Sequence, residues 1–149
     1  MKKLVALLVI LALLGSVACA EKLDEIVERY NYETGFTGVP KITQLPVDGH
    51  YFCMETGIVL IFVKSETSDD IDLVSCSTFG KPDGEAFLCT VCTILNTFDP
   101  NDSIMNYGRA MNAFLSARNV GEMSVITSKR QYGTIKYTPS QYTFYLDIR

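Results

Sequence analysis

The sequence predicts an α+β fold: one mostly antiparallel sheet of about five to six strands, with two central helices packed on it and an N-terminal helix. Segments with strand character form two groups, one in the middle of the chain and one at its end. Segments with helical periodicity lie before the first group and between the two groups. Because no internal repeat or low-complexity tract is present, residues 21–149 are expected to form a single domain.

The first 20 residues have the three-part layout of a secretory signal peptide. Lys2 and Lys3 give a positive start, an apolar run extends from Leu4 to Leu14, and Ala18-Cys19-Ala20 places small residues where a signal peptidase cleaves. The apolar run is about half as long as the roughly 20 residues that a membrane-spanning helix needs. We therefore expect cleavage after Ala20, no membrane span, and a protein that is secreted or lies in the cell envelope.

Cys19 offers an alternative to simple cleavage. Ser16-Val17-Ala18-Cys19 resembles the box that precedes the lipidated cysteine of bacterial lipoproteins, although its first position is Ser where Leu is usual. Lipidation of Cys19 would anchor the same domain to a membrane by its N-terminus. We favour cleavage after Ala20 because the A-x-A pattern is intact.

The chain that remains after cleavage has 129 residues, enough for one domain with a core of its own. Removal of Lys2 and Lys3 leaves 11 basic and 17 acidic side chains, a net charge of −6. An acidic protein repels phosphate backbones and anionic lipid surfaces, so nucleic acid is not expected as a partner.

The first helix is predicted over Glu21–Asn31, because its apolar residues recur at helical spacing. Glycine and proline residues then predict an irregular segment over 34–49. Three strands that form an antiparallel meander should follow, over His50–Glu55, Ile58–Val63 and Ile71–Phe79. The uninterrupted apolar run of the second strand predicts that it is covered on both faces.

Two helices are predicted between the groups of strands. The first begins near Asp83–Glu85 and stops at Phe98-Asp99-Pro100, since the residue before a proline disfavours helix. The second starts at a cap on Asp102 or Ser103 and runs to about Asn119. Its expected apolar stripe consists of Ile104, Tyr107, Met111, Phe114 and Leu115.

The end of the chain is predicted to form strands over Met123–Ser128, Thr134–Tyr137 and Tyr142–Ile148. Apolar and polar residues alternate strictly in the last of them. Such alternation is typical of a strand with one buried face.

Cys89-Thr90-Val91-Cys92 forms a C-x-x-C motif. Thiol–disulfide enzymes place this motif in the first turn of a helix, where the helix dipole lowers the pKa of the thiol. Cys89 falls at least one turn inside the predicted helix, and Glu85 in the first turn opposes a nearby thiolate. We therefore expect structural thiols or a structural disulfide, with redox chemistry at Cys89 and Cys92 as the alternative.

A metal site and a catalytic site are not expected. Zinc needs four ligands, but Cys53 and Cys76 lie singly on predicted strands and His50 is the one histidine. His50 has no accompanying nucleophile motif. The acidic turn over 66–72 lacks the D-x-D-x-D-G pattern of a calcium loop. No catalytic residue, metal or other cofactor is therefore assigned, and the protein is not expected to be an enzyme.

Lys129, Arg130, Tyr132 and Lys136 form a candidate interaction surface near the hairpin of the closing strands. Basic and tyrosine side chains together are useful at a binding surface. They are also ordinary on an edge hairpin, where lysine discourages aggregation.

The layout resembles that of small exported or lipid-anchored bacterial proteins of unassigned function. The segments that carry the likeness are IDLVSCS (Ile71–Ser77) and ILNTFDP (Ile94–Pro100). The resemblance implies a signal sequence, a strand meander, a helix with such a stop, a second helix and closing strands, and it supplies no activity. Together with the export signal, it favours a non-enzymatic exported domain that binds a protein partner or a small ligand.

Overall fold

The computed structural model describes residues 22–44, 46–53, 55–80, 83–127, 129 and 131–148. Within these residues it confirms the α+β fold, with one six-stranded antiparallel sheet and three α-helices. The helices are α1 (Leu23–Thr37), α2 (Gly84–Phe98) and α3 (Ser103–Val120). The strands are β1 (His50–Cys53), β2 (Ile58–Lys64), β3 (Ile71–Thr78), β4 (Glu122–Ile126), β5 (Tyr132–Thr138) and β6 (Gln141–Asp147).

The sheet joins two three-stranded meanders in the order β1-β2-β3-β6-β5-β4. The two meanders meet where β3 pairs with β6, and Cys76 lies opposite Phe144 in that pair. Leu60 on β2 and Ile135 on β5 continue this row on either side, and all four side chains are buried. Side chains alternate between the faces of a sheet. This row therefore marks the face on which the helices pack and the core forms.

The prediction that Ile58–Val63 is covered on both faces is wrong. In β2, Ile58, Leu60 and Phe62 are buried on the helix face, whereas Val63 on the other face is 45% exposed. A single layer of helices covers one face of the sheet, so the opposite face of β2 has no layer to bury it. The apolar run therefore belongs to a strand next to the edge strand of the sheet, and helices cover only one of its two faces.

The first helix is longer than predicted and includes residues 34–37, which were expected to be irregular. It ends at Gly38, whose φ of 73° allows its N–H to bond to the Thr34 carbonyl. The chain then folds back, because the Asn31 side chain both donates to the Ile42 carbonyl, at 2.9 Å, and accepts from the Ile42 N–H, at 2.7 Å. The stop therefore lies at Gly38 rather than at Asn31.

Helix α2 starts and stops where the sequence predicts, and it is buried along nearly its whole length. Asp83 caps its first turn by accepting from the N–H groups of Glu85 and Ala86. Three threonines are buried on this helix, and each hydroxyl donates to the carbonyl four residues earlier. They are Thr90, Thr93 and Thr97. These local bonds satisfy the hydroxyls, so the threonine side of α2 can pack under α1.

The stripe predicted for α3 is largely wrong. Phe114 is buried, but Ile104, Tyr107 and Leu115 are 86%, 53% and 50% exposed. The buried face instead carries Asn106, Ala110, Ala113, Phe114 and Ala117. Alanines let a helix approach its neighbours closely. The small residues therefore face the core together with Phe114, and Met111 packs partly against it, whereas Ile104, Tyr107 and Leu115 face outward. No helix in the described part of the chain is long and apolar enough to span a membrane.

Candidate functional site

A pocket of about 340 Å³ lies between α1 and the end of α2. Two turns of α1 form one wall, and the last turn of α2 forms the other together with Pro100, two residues beyond the helix. It is lined by Glu28, Arg29, Tyr32, Glu33, Asn96, Thr97 and Pro100. Carboxylate, guanidinium, phenol and amide groups therefore come together around one hollow.

Glu33 is the unusual member of this set, because this charged residue is only 7% exposed. It continues the buried stripe of α1, three residues after Tyr30 and seven after Ile26. Burial raises the pKa of the Glu33 carboxyl above its ordinary value. A hydrogen bond from the Asn96 side chain acts in the opposite direction, because it stabilises the ionised form. The net effect of the two is an upward shift of the pKa.

The Asn96 side chain accepts a hydrogen bond from a second buried asparagine, on α3. Asn106 is 0% exposed, and its Nδ2 donates to Asn96 Oδ1 at 3.3 Å and to the Asp99 carbonyl at 3.0 Å. Because the oxygen of Asn96 accepts from Asn106, its amino group is the part that can donate to Glu33. This contact fixes the orientation of Asn96 toward the pocket.

The hydrogen-bonded chain continues to the outer side of α3. Arg109 Nη1 donates to Asn106 Oδ1 at 3.0 Å and pairs with Asp102 Oδ2 at 2.7 Å. Every step donates in the same direction, from Arg109 through Asn106 and Asn96 to Glu33. Buried polar chains that are satisfied at each step are rigid. The carboxyl on α1 is therefore supported by residues from the two other helices, α2 and α3.

Aromatic side chains flank the polar groups. The Arg29 guanidinium lies over the Phe98 ring, 5.7 Å from its centroid. Tyr32 is 69% exposed and makes an edge contact with Phe36, with 5.6 Å between the ring centroids. Tyrosine with an exposed ring beside a carboxylate is a combination suited to ligand contact.

A larger hollow of about 570 Å³ lies beside β2, next to the start of the short strand β1. Its polar side chains are committed to local contacts. The Nδ1 of His50 lies 2.9 Å from the Asp48 carbonyl, and Lys64 pairs with Asp69 at 3.2 Å. The side chains of His50 and Lys64 are exposed, so this hollow offers surface contacts rather than a buried polar group.

The structure places the C-x-x-C motif well inside α2, and the four cysteines of the described residues are all free thiols. Burial, and then the charge of the Cys89 thiolate, raises the pKa of Cys92 to about 12. Burial, followed by the Glu85 and Asp83 carboxylates, also raises the pKa of Cys89. Cys92 is 3% exposed, whereas Cys89 is half-buried. Neither thiol is in an environment that favours the thiolate.

The predicted surface of Lys129, Arg130, Tyr132 and Lys136 is divided between two places. Lys129 Nζ donates to the Phe98 carbonyl at 2.6 Å, so it caps the C-terminal end of α2. Arg130 lies outside the described residues, as do Cys19 and the predicted signal peptide.

Tyr132 and Lys136 share the open face of β5, away from the helices. Tyr132 is 65% exposed and lies opposite Ile126 on β4. Lys136 pairs with Glu122 at 3.2 Å, and its ammonium lies 5.9 Å from the ring centroid of Tyr145. These two residues form a small mixed surface that does not include Lys129.

Among the described residues, no group of three or more His, Cys, Asp or Glu side chains converges as a metal site would need. In the acidic turn, Asp69 pairs with Lys64, and Asp70 accepts from Ser68 at 2.6 Å. The carboxylates of Asp69 and Asp70 are therefore used in local contacts.

Sequence reasoning missed Glu33, Asn96 and Asn106 as site residues. Glu33 carried a signal, since a charged residue lay in register with an apolar stripe at the end of a helix. Asn106 lies on the same helix face as Ala110, Ala113 and Ala117. The larger apolar residues elsewhere on the helix hid this face from a search based on hydrophobicity.

Comparison with protein-family models, curated proteins and solved structures finds no match to this chain. The geometry and chemistry of the pocket therefore carry the functional argument.

Proposed function

We propose that this protein is a non-enzymatic binding domain, and that the pocket between α1 and α2 holds a small polar ligand. The observation that carries the proposal is Glu33, a residue that is only 7% exposed, lines a pocket and accepts a hydrogen bond from the Asn96 side chain. Ligand sites are typically concave and combine a few placed polar groups with apolar or aromatic walls. This pocket has that composition.

The buried carboxyl has a cost that folding alone does not explain. Placing a carboxylate in a poorly solvated position is unfavourable, and an apolar side chain in the same stripe would avoid that cost. Two further buried asparagines, Asn96 and Asn106, are then committed to orienting it. Local rules of helix packing are often broken at functional sites.

We propose binding rather than catalysis because the aliphatic hydroxyl that lines this pocket, the candidate nucleophile, is already engaged in a hydrogen bond. The Thr97 hydroxyl donates to the Thr93 carbonyl at 2.7 Å. A nucleophile needs an adjacent base that takes its proton, and a carbonyl oxygen is not one. The raised pKa values of Cys89 and Cys92 likewise weigh against thiol–disulfide exchange as the function.

We further propose that residues 1–20 direct export, with cleavage after Ala20, so that the domain binds its ligand outside the cytoplasm. Lipidation of Cys19 is the alternative route to the same location. The intact mass of the exported protein distinguishes them: a chain starting at Glu21 supports cleavage, and a diacylglycerol on Cys19 supports the anchor.

Ligand-observed NMR tests the binding proposal. The folded domain is mixed with separate pools of small amines, carboxylic acids, sugars and nucleosides. We expect at least one pool to contact the wild-type protein and to lose that contact in Tyr32→Ala, at the pocket wall. Leu115→Ala, on the outer face of α3, is the control and should retain it. Contacts that are equal in all three proteins, or no contact with any pool, would overturn the proposal.

A further inference from the structure

We propose that the ligand of this pocket is a small organic cation, whose ammonium group pairs with Glu33 and packs against the ring of Tyr32. This inference rests on the proposed function and specifies the chemical class of ligand at the same site.

The charge around the pocket favours a cation. Its lining residues include two carboxylates, Glu28 and Glu33, and one guanidinium, Arg29. The positive charge of Arg29 lies over the Phe98 ring, which stabilises it locally. A ligand that enters the pocket therefore meets an excess of negative charge, and the carboxylate it meets most deeply is Glu33.

The hydrogen bonds from Asn106 to Asn96 and from Asn96 to Glu33 leave acceptor positions of the Glu33 carboxylate available for a charged donor. Asn106 orients Asn96, and Asn96 donates to the carboxylate. An ionised carboxylate can accept about four hydrogen bonds, and Asn96 supplies a donor on the α2 side only. An ammonium group on the pocket side would add donors and a compensating charge, and such charge-assisted bonds are stronger than neutral ones.

The protein only partly stabilises the negative charge of ionised Glu33, so a bound cation could stabilise it further. Burial outweighs the Asn96 hydrogen bond in its effect on the Glu33 pKa, so the ionised carboxylate is not fully stabilised by its own surroundings. The polar groups that line the pocket with it are Glu28, Arg29 and Tyr32 from α1, and Asn96 and Thr97 from α2. A bound cation would favour ionised Glu33, and cation binding should therefore weaken as the pH falls and Glu33 takes up a proton.

Tyr32 supplies the second half of the recognition. Its ring is 69% exposed and is held by an edge contact with Phe36. Cations are attracted to the faces of aromatic rings, and aromatic side chains commonly recognise methylated ammonium groups in this way. The volume of about 340 Å³ suits a ligand with few heavy atoms.

The test compares four small probes by isothermal titration calorimetry. Three of them are choline, its uncharged carbon analogue 3,3-dimethylbutan-1-ol, and the anion 3,3-dimethylbutanoate. We expect choline to bind at least about tenfold more tightly than the neutral analogue, because only the cation pairs with the carboxylate. Butylammonium is the fourth probe, and it shows whether a primary amine is preferred to a methylated one.

Matched variants locate the site. Glu33→Gln keeps the shape and should weaken cation binding by about tenfold or more, whereas Glu25→Gln removes an exposed carboxylate of the same helix and should change it less than about twofold. Tyr32→Ala should also weaken binding, and Phe36→Ala, one turn away, should weaken it less. Because Tyr32 is exposed, this pair remains informative even if Glu33→Gln fails to fold.

The outcomes separate the inference from the proposed function. Tighter binding of the neutral or anionic probe than of choline and butylammonium, lost in Tyr32→Ala, would overturn the cation inference and leave the binding site in place. Cation binding that Glu33→Gln does not weaken would also overturn it. If the wild-type protein binds none of the four probes, the cation inference fails. The NMR test with the broader ligand pools then shows whether the pocket binds any other small ligand.

Discussion

Asn96 on α2 and Asn106 on α3 are joined side chain to side chain, with 3.3 Å between Asn106 Nδ2 and Asn96 Oδ1, in the buried interface between the two helices. This contact links the core of the domain to the pocket, because Asn106 sets which way the Asn96 amide faces. The position of Glu33 relative to its donor therefore depends on a residue that does not line the pocket.

Asn106→Ala is expected to lower both stability and pocket function. Asn96 Oδ1 would lose its donor in the core, which costs about 1–3 kcal/mol for a buried unsatisfied group, whereas the Asp99 carbonyl would keep its bond from the Asp102 N–H. Urea denaturation followed by circular dichroism measures the loss. Asn112→Ala is the control, because Asn112 is exposed on the same helix and its loss should change the free energy of unfolding by less than about 0.5 kcal/mol. Equal effects in the two variants would contradict the assigned role of Asn106.

Glu33→Gln is expected to raise the free energy of unfolding at pH 7 relative to wild type, and to lose that advantage as the pH falls through the raised pKa of folded Glu33 toward 4.5, the ordinary pKa of a glutamate. The pKa of Glu33 is raised in the folded state, so the folded protein holds this proton more tightly than the unfolded chain. The contribution of Glu33 to stability is therefore complete below the unfolded pKa and is lost as the pH rises through the folded pKa.

Urea denaturation of both proteins at a series of pH values between 3.5 and about 8 measures this difference. Glu25→Gln serves as the comparison, because its side chain is exposed on the same helix and should give a difference that does not change with pH. An advantage of Glu33→Gln that grew as the pH fell would show that the sign of the shift is wrong.

The fold class could be predicted from the sequence because strand and helix patterns are local. Strict alternation in β6 places Tyr142, Phe144 and Leu146 on the helix face, and all three are buried. The stop of α2 at Phe98 and its cap at Asp83 follow from proline and capping rules. These elements are fixed by residues that are neighbours in the chain.

The site could not be predicted, because it depends on which face of each helix meets its neighbour. On α3, apolar periodicity selects the side that carries Ile104 and Leu115, yet the alanine side faces the core. Hydrophobic periodicity selects the face with the largest apolar side chains. It does not reveal that a face of small residues is buried because a neighbouring helix packs closely against it. Asn106 lies on the alanine face, so its role became visible only with the packing of α2 against α3.

Ala117→Leu and Leu115→Ala test this reversed assignment of the faces of α3. Ala117 is 0% exposed, so a larger side chain there should cost about 1–3 kcal/mol through overpacking. Leu115 is 50% exposed, and its truncation should cost less than about 1 kcal/mol, well below the roughly 2–5 kcal/mol of a buried leucine. Thermal and urea unfolding measure both changes. A larger loss in Leu115→Ala than in Ala117→Leu would restore the stripe that the sequence predicted.

Alkylation of the native protein tests the environment of the cysteines. Burial and the neighbouring Cys89 thiolate raise the pKa of Cys92 to about 12, and Cys76 is fully buried on β3. Since the thiolate is the reactive form, iodoacetamide at about pH 8 should leave Cys92 and Cys76 unmodified in the folded protein and modify them once urea unfolds it. Peptide mass spectrometry after timed quenching gives the extent at each cysteine.

Cys89 provides the internal comparison for this experiment, because it is half-buried and lies one turn before Cys92 on the same helix. Its raised pKa, caused by burial and then by the Glu85 and Asp83 carboxylates, should make it react more slowly in the folded protein than in urea. A Cys89 or Cys92 thiol that reacts faster in the folded protein than in the unfolded chain would instead indicate a stabilised thiolate. That result would bring thiol–disulfide exchange at the C-x-x-C motif back as the leading function, since an activated thiolate is what such chemistry requires.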